Sequence, residues 1–479
     1  MNNDANYNGG AIFTTGNVKI YNSKFLDNFA RQCGGAIFVQ GYLEINNALF
    51  KSNRANSDYG GAIYSISFLN IINSNFIENF ADERGGAIYA EDSIFIKNST
   101  FESNKADDKC GGAICAAEID NKAKIEIIDS IFNGNSADNQ GGAIYTFNTL
   151  DIKNSTFSYN VADGIIPLEE NNNGGAIYTI NSINITDSTF IGNRANDYGG
   201  AIYSDGTITI QNSKFISNKV DDDNGGAIVN HGENFSIIDS EFIGNSANVD
   251  GGAIWSKTSV SVITSIFKNN QASGASLFQS CGGAIRSEKD VKVDNCTFLN
   301  NHAADYGGAI YSNTVTWVDS PSYFIGNYVE DNAGGAIYTN RFTTDVSHAV
   351  FIGNGVKCSD DGGAIYINNE NHITFTYCIF KDNYAGDEGG AIYLDSYYSH
   401  LSLRDNVFIG NSAGSKGQIV YNCGKYDEIK NNWYGTSKID FKDKFKECHW
   451  YGDEDYLDSN PALAPLFAFL AFISDSISF

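Results

Sequence analysis

Three things are scarce in this sequence, and each scarcity excludes a class of protein. Basic residues are few: 31 Lys and Arg stand against 57 Asp and Glu, a formal net charge of −26. So strong an acidic excess repels phosphate backbones and anionic membrane surfaces, and it excludes nucleic acid as a partner. Sustained apolar periodicity of the helical kind is missing, and Gly and Asn recur too often to leave a helix-length segment between them. The apolar run 462–473 is too short to cross a bilayer, so no membrane span is expected in this chain. Ready-made metal or disulfide frameworks are absent as well. The nine cysteines include no Cys-x-x-Cys pair and no Cys/His ligand spacing, and neither an EF-hand nor a nonapeptide calcium motif occurs.

What the sequence has instead is repetition. Gly-Gly-Ala-Ile occurs fifteen times, from Gly9 to Gly389, at steps of 25 to 33 residues. Between and after these copies runs an equally constant Phe-x-x-Asn, from Phe25–Asn28 to Phe408–Asn411. Self-similarity at this period means a stack of identical supersecondary units. One repeat, 34–56, holds a short run after the glycines (Ala36, Ile37, Phe38), an alternating run (Leu43, Glu44, Ile45), and Phe50 before Asn53. Three strand-length segments of period two, punctuated by Gly and Asn, make one coil of a parallel β-helix. The expected fold is therefore all-β: a right-handed parallel β-helix of about 15–16 coils over residues 1–425, with a C-terminal cap or the start of a following segment at 426–479. At roughly 4.8 Å per coil the stack would extend for about 70 Å.

The constant positions assign themselves. Ile after Gly-Gly-Ala and the Phe of Phe-x-x-Asn form two inward ladders, each buried side chain contributing about 1.5–3 kcal/mol. The Asn sits at a turn, where its amide can donate to and accept from its counterpart one coil away. Two residues on, the position is Ala twelve times and Val three times, a tight inner corner. The position three before Phe is Asn or Asp in eleven of fifteen repeats, as suits a left-handed bend. Cys33, Cys110 and Cys281 share the column before Gly-Gly, too far apart to pair with one another and expected as small buried or turn residues. A disulfide between Cys358 and Cys378, within one coil, remains open. The first coil begins at residue 9, so N-terminal targeting and capping segments are expected to be missing from the sequence.

Gly-Gly-Ala-Ile alternating with Phe-x-x-Asn resembles the repeat of the polymorphic outer membrane proteins of chlamydiae. It is also similar to long adhesin-like surface proteins of methanogenic archaea, whose repeats end near an Asn-Asn-Trp-aromatic-Gly segment like Asn431–Gly435. The resemblance covers residues 9 to about 435, without the autotransporter barrel of the chlamydial pattern. It implies an extracellular or cell-surface β-helix that mediates adhesion, and it names no ligand.

Candidate functional residues lie in two outward columns. The residue after Gly-Gly-Ala-Ile is aromatic in most copies: Tyr64, Tyr89, Tyr145, Tyr178, Tyr203, Trp255, Tyr311, Tyr338, Tyr366 and Tyr393. Arg286 occupies the same column and could not sit unpaired in a core, which places the column on the surface. A strip of rings offers apolar area with polar handles, on which cell-surface glycans or proteins can stack. The alternative is that the rings mainly stack on each other and shield the sheet. Between the Asn corner and the next glycines runs an acidic stripe, including Asp82, Asp107, Asp138, Asp360 and Asp387. It is either a solvated edge or a site for calcium, the one cofactor considered, with Asp221, Asp222 and Asp223 as the candidate ligands. Insertions at 164–173, 273–280 and 117–124 are the natural carriers of specificity on such a scaffold. The enzyme alternative is a polysaccharide lyase or hydrolase of the pectate-lyase type. A lyase needs acids that hold calcium and a base that takes a proton, and only Arg286 with Asp305 and Asp250 offers one. Near-identical coils argue against a concentrated active site and favour a non-enzymatic protein.

Overall fold

The computed structural model describes residues 2–116, 123–164, 172–274, 279–319, 321–342, 345–369, 372–434 and 445–447. Every regular element among them is a β-strand, and every strand pairing is parallel, giving a β-solenoid of about fifteen turns. No helix among the described residues is long and apolar enough to cross a membrane. The chain forms two compact units, Met1–Val260 with Asn270–Ser273, and Ser261–Asn269 with Gly274–Phe479. The loop insertions at 117–122, 165–171 and 275–278, and most of the expected cap beyond residue 434, lie outside the described residues.

A turn of the first unit has four strands rather than the expected three. In one turn these are Ile177–Thr179, Ile183–Thr186, Thr189–Ile191 and Arg194–Ala195. The fourth is only two residues long. It pairs in register with Val161–Ala162 on one side and Lys219–Val220 on the other. Its inward residue is the Ala or Val of the tight corner, fully buried at Ala162 and Ala195. In the second unit the pattern changes: Ile310–Asp319 runs through two strand positions, and a separate parallel sheet forms from Asp345–Ser347, His372–Thr376, His400–Arg404 and Lys425–Lys430. Pairing begins before Gly9, where Asp4–Ala5 lies against Phe29–Ala30, and continues past residue 425 to Phe445–Glu447.

Register is in phase from turn to turn, so like residue meets like. Ile144 lies opposite Ile177, and Ile177 opposite Ile202, all with no solvent exposure. Phenylalanine rings stack within each unit at centroid separations of 4.7–5.1 Å and nearly parallel planes. The backbone imposes the spacing, because neighbouring strands lie about 4.8 Å apart.

The two glycines of each pair are required for different reasons. Gly174 has φ of +67°, a left-handed conformation costly for any residue with a Cβ. Gly175 needs room: a Cβ there would lie 2.1 Å from the Gly200 carbonyl oxygen. Left-handed backbone also occurs three before Phe, as at Asn98, Asp129 and Asn154. A second such site, two after Phe, was not expected; Ser103, Gly134, Tyr159 and Gly192 occupy it.

Two interior polar ladders hold successive turns together. In the first, Asn193 Nδ2 donates to Asn218 Oδ1 in the next turn (3.0 Å) and to the Phe157 carbonyl behind it (2.9 Å). Its own Oδ1 accepts from Asn160 N–H (3.0 Å) and Nδ2 (2.9 Å). Both donors and both acceptors of a fully buried amide are thereby used. The second ladder lies two residues before each Phe, where Ser130 N–H donates to Ser155 Oγ at 3.1 Å and Ser155 Oγ donates to the Lys153 carbonyl at 2.8 Å. Cys296 and Cys378 stand in this serine column, and their thiols make the corresponding bonds to Asp294 and Thr376 carbonyls.

No disulfide joins the described cysteines. Cys358 is exposed while Cys378 is buried in the ladder, so the open possibility of a disulfide between them is not realised: they occupy different faces of the turn. Cys110 and Cys281 are buried and Cys33 half-buried, in keeping with small residues before the glycine turn.

The asparagine ladder gives the first prediction. Asn193→Ala takes partners from buried groups of the two flanking turns (Phe157 and Asn160 before it, Asn218 after it), each costing about 1–3 kcal/mol, so it should destabilise the first unit by about 3 kcal/mol or more. Lys214→Ala, at an exposed position, should change it by less than about 0.5 kcal/mol. Urea unfolding followed by circular dichroism, with proteolysis as a local probe, compares the two.

Candidate binding face

The strand after each glycine pair alternates inward Ile, outward aromatic, inward small residue. The aromatic column is therefore on the outside of the solenoid, as Arg286 suggested. Its rings are nevertheless well covered. Tyr178 and Tyr203 retain 9% and 8% exposure, against 0% for the inward Ile177. Tyr64, Tyr145, Trp255, Tyr311, Tyr338 and Tyr366 are half-buried, while Tyr89 and Tyr393 are buried. The cover is the next ring. In the first unit Phe13, Phe38, Tyr64 and Tyr89 stack at 4.9–5.2 Å, and Tyr145, Tyr178 and Tyr203 at 5.1 and 4.9 Å. Cys115 and Val229 interrupt the column, and Trp255 follows with His231 beside it at 5.2 Å. In the second unit Tyr311, Tyr338, Tyr366, Tyr393 and Tyr421 form one run of five rings at 4.9–5.0 Å. Tyr421 follows Gly417–Val420, a degenerate copy of the motif in which Gln-Ile-Val replaces Gly-Ala-Ile, so the motif itself does not mark it. Ring faces are thus occupied by one another, and an incoming ligand meets edges and hydroxyls.

A second outward column, two residues further along the strand, flanks the rings. The Tyr64 hydroxyl donates to Glu91 of the next turn, and the Tyr366 hydroxyl to Asp395 Oδ2 at 2.9 Å. The Tyr203 hydroxyl meets His231 Nδ1 at 3.3 Å. Burial and then the Asp205 carboxylate push the Tyr178 phenol up to about 12, so it remains a donor at neutral pH. Beside the five-ring run this column becomes a ladder of amides. Asn313 Nδ2 donates to Glu288 Oε2 (2.8 Å), Asn340 Nδ2 to the Asn313 carbonyl (2.7 Å), and Asn368 Nδ2 to Asn340 Oδ1 (3.1 Å). No single repeat announces this column, because its residue type changes along the chain.

The acidic stripe is partly neutralised from within. Arg194 pairs with Asp221 and reaches Asp163 at 3.4 Å, Lys219 reaches Asp221 at 2.7 Å, and Lys109 reaches Glu83 at 3.0 Å. Burial raises the Asp221 carboxyl, but the Lys219 and Arg194 bonds outweigh it and hold the group below its ordinary range. Asp223 turns to the Tyr198 hydroxyl, and burial pushes its carboxyl upward. Asp221, Asp222 and Asp223 thus do not bring three ligand oxygens within reach of one ion.

Arg286 is not free to act as a base. Its Nη1 donates to the Ser287 carbonyl at 2.6 Å, its Nη2 to Glu288 Oε1 at 2.9 Å, and its guanidinium lies 4.4 Å from the centre of the Tyr311 ring. Asp305 accepts instead from Ser280 N–H (2.7 Å) and Asn332 Nδ2 (2.8 Å). The third lyase candidate, Asp250, belongs to the first unit, where its backbone N–H donates to Asn224 Oδ1 at 2.9 Å.

Eight segments of the chain match the family model of the Chlamydia polymorphic membrane protein repeat: 73–91, 93–117, 129–146, 154–180, 187–205, 239–257, 295–313 and 377–395. The chain matches no curated protein and no solved structure.

One carboxyl in the stripe gives a pH prediction. Burial, and then the neighbouring carboxylates of Glu388, Asp387 and Asp360, push Asp361 from 3.8 to about 7, although it accepts the Glu388 N–H at 2.9 Å. The folded state therefore holds this proton more tightly than the unfolded chain. Its contribution is fully present below about pH 4 and is lost as pH rises to about 7. Asp361→Asn keeps the acceptor and removes the charge. It should raise the melting temperature by about 1–3 °C at pH 8 and leave it unchanged at pH 3.5 in thermal unfolding scans.

Proposed function

We propose that this chain, which carries eight copies of the Chlamydia polymorphic membrane protein repeat, is a surface adhesin-like protein that binds glycans or a partner cell's surface along a repetitive face. The observation that carries the reading is the run Tyr311–Tyr338–Tyr366–Tyr393–Tyr421 with the amide ladder from Glu288 to Asn368 beside it. Phenol edges and amides repeated at every turn offer the mixed apolar and hydrogen-bonding surface that sugar rings and extended peptides use. Individual contacts are shallow, so strength comes from many of them engaging at once. Stacking also fixes the rings in advance, which lowers the entropy lost on binding.

The polysaccharide-lyase reading has less support. Its one candidate base is held by Glu288 and lies over Tyr311, and Asp305 accepts from Ser280 and Asn332.

Binding of the full chain to a glycan array and to whole cells tests the proposal. A variant carrying Tyr311→Ser, Tyr338→Ser, Tyr366→Ser and Tyr393→Ser should lose roughly tenfold or more in avidity. The corresponding four Tyr→Phe changes keep the stack and remove the hydroxyls, and they should fall in between. Equal binding by all three chains would exclude this face.

A further inference from the structure

The separate sheet of the second unit carries a feature that lies outside the aromatic face. His372 and His400 are opposite one another in register on adjacent strands, with ring centroids 4.4 Å apart. The next strand along, Lys425–Lys430, contains a bulge: Leu401 pairs with Tyr426, but Ser402 pairs with Glu428, leaving Asp427 as the extra residue. A bulge re-aims the side chains around it. Here Tyr426 stays inward and Glu428 pairs with Arg404 at 2.5 Å. Asp427 turns out toward the histidines, its Oδ1 lying 2.7 Å from His400 Nδ1 and its Oδ2 3.4 Å from His372 Nδ1. Among the described residues this is the one group of three His, Cys, Asp or Glu whose ligand atoms all lie within 4.8 Å of one another.

We propose that His372, His400 and Asp427 form a binding site for a divalent transition-metal ion of the zinc class. Two imidazole nitrogens and one carboxylate oxygen are borderline ligands that suit Zn²⁺, Ni²⁺ or Cu²⁺ rather than calcium, which takes six to eight oxygens. Three protein ligands leave the remaining coordination positions to water, as the exposure of His372 and Asp427 permits. The ligands come from three successive turns, so one ion would clip those turns together. The strongly negative chain favours cation capture electrostatically. This site is independent of the adhesion reading, and its failure would leave that reading untouched.

The test is titration of the full chain, reduced throughout, with Zn²⁺ by calorimetry and with Co²⁺ by absorption. One ion per chain is expected at this site, with visible bands of nitrogen and oxygen ligation and no thiolate charge-transfer band. Asp427→Asn, nearly isosteric, and His400→Ala should each weaken binding by about tenfold or more. Zn²⁺ should raise the melting temperature of the parent chain and not of the variants. Affinity unchanged in both variants, or a thiolate band with Co²⁺, would overturn the proposal by placing the ion on the acidic stripe or the cysteines.

Discussion

Everything in this molecule depends on the fit between the amide side chain and the spacing of parallel strands. A buried asparagine has two donors and two acceptors, and leaving any of them unmade is expensive. In the interior column all four are satisfied by the turns on either side, and by nothing else. That arrangement works only if every turn presents the same residue at the same height. It therefore fixes the register from which the isoleucine and phenylalanine stacks follow. Hydrophobic burial supplies most of the stabilisation and also opposes a slip of one residue, which would turn the inward isoleucines out; the amide column adds the cost of every donor and acceptor left unmade.

The same register explains the outer surface. Once turns are in phase, outward residues are also aligned, and an aromatic residue after each glycine turn must stack on its neighbour. Charges are aligned too, which is why the acidic stripe needs Arg194, Lys219 and Lys109 within it and why neighbouring carboxylates add to the burial that makes Asp361 hold its proton. Repetition thus makes an aromatic face and an electrostatic problem by one mechanism.

What could be read in the sequence were the positions that never vary. Fifteen copies of Ile, Phe and Asn at fixed offsets announce the solenoid and its core, and the Asn or Asp before Phe announces a left-handed bend. The serine ladder is not legible in the sequence because its column also holds Ala48, Ala349, Cys296, Cys378 and Asn406, so no single residue type marks it. The fourth strand is two residues long and leaves no periodicity to detect. The exposure of Tyr178 was misleading for another reason: alternation along a strand tells inside from outside, but cover comes from the next turn. His372, His400 and Asp427 could not be found at all, because unequal turn lengths and a bulge bring them together.

The interior asparagines have one more consequence. Backbone bonds between turns run both ways: Gly34 N–H points forward to Tyr59, whereas Leu49 N–H points back to Ser23. Their dipoles largely cancel, as in sheets generally. The asparagine amides do not alternate. From Asn28 to Asn53, Asn79 and Asn104, every side-chain oxygen accepts from the preceding asparagine and every Nδ2 gives one of its hydrogens to the following one. Each amide polarises the next, so the column behaves as an electrical vector along the stack, built from side chains where an α-helix builds its own from the backbone.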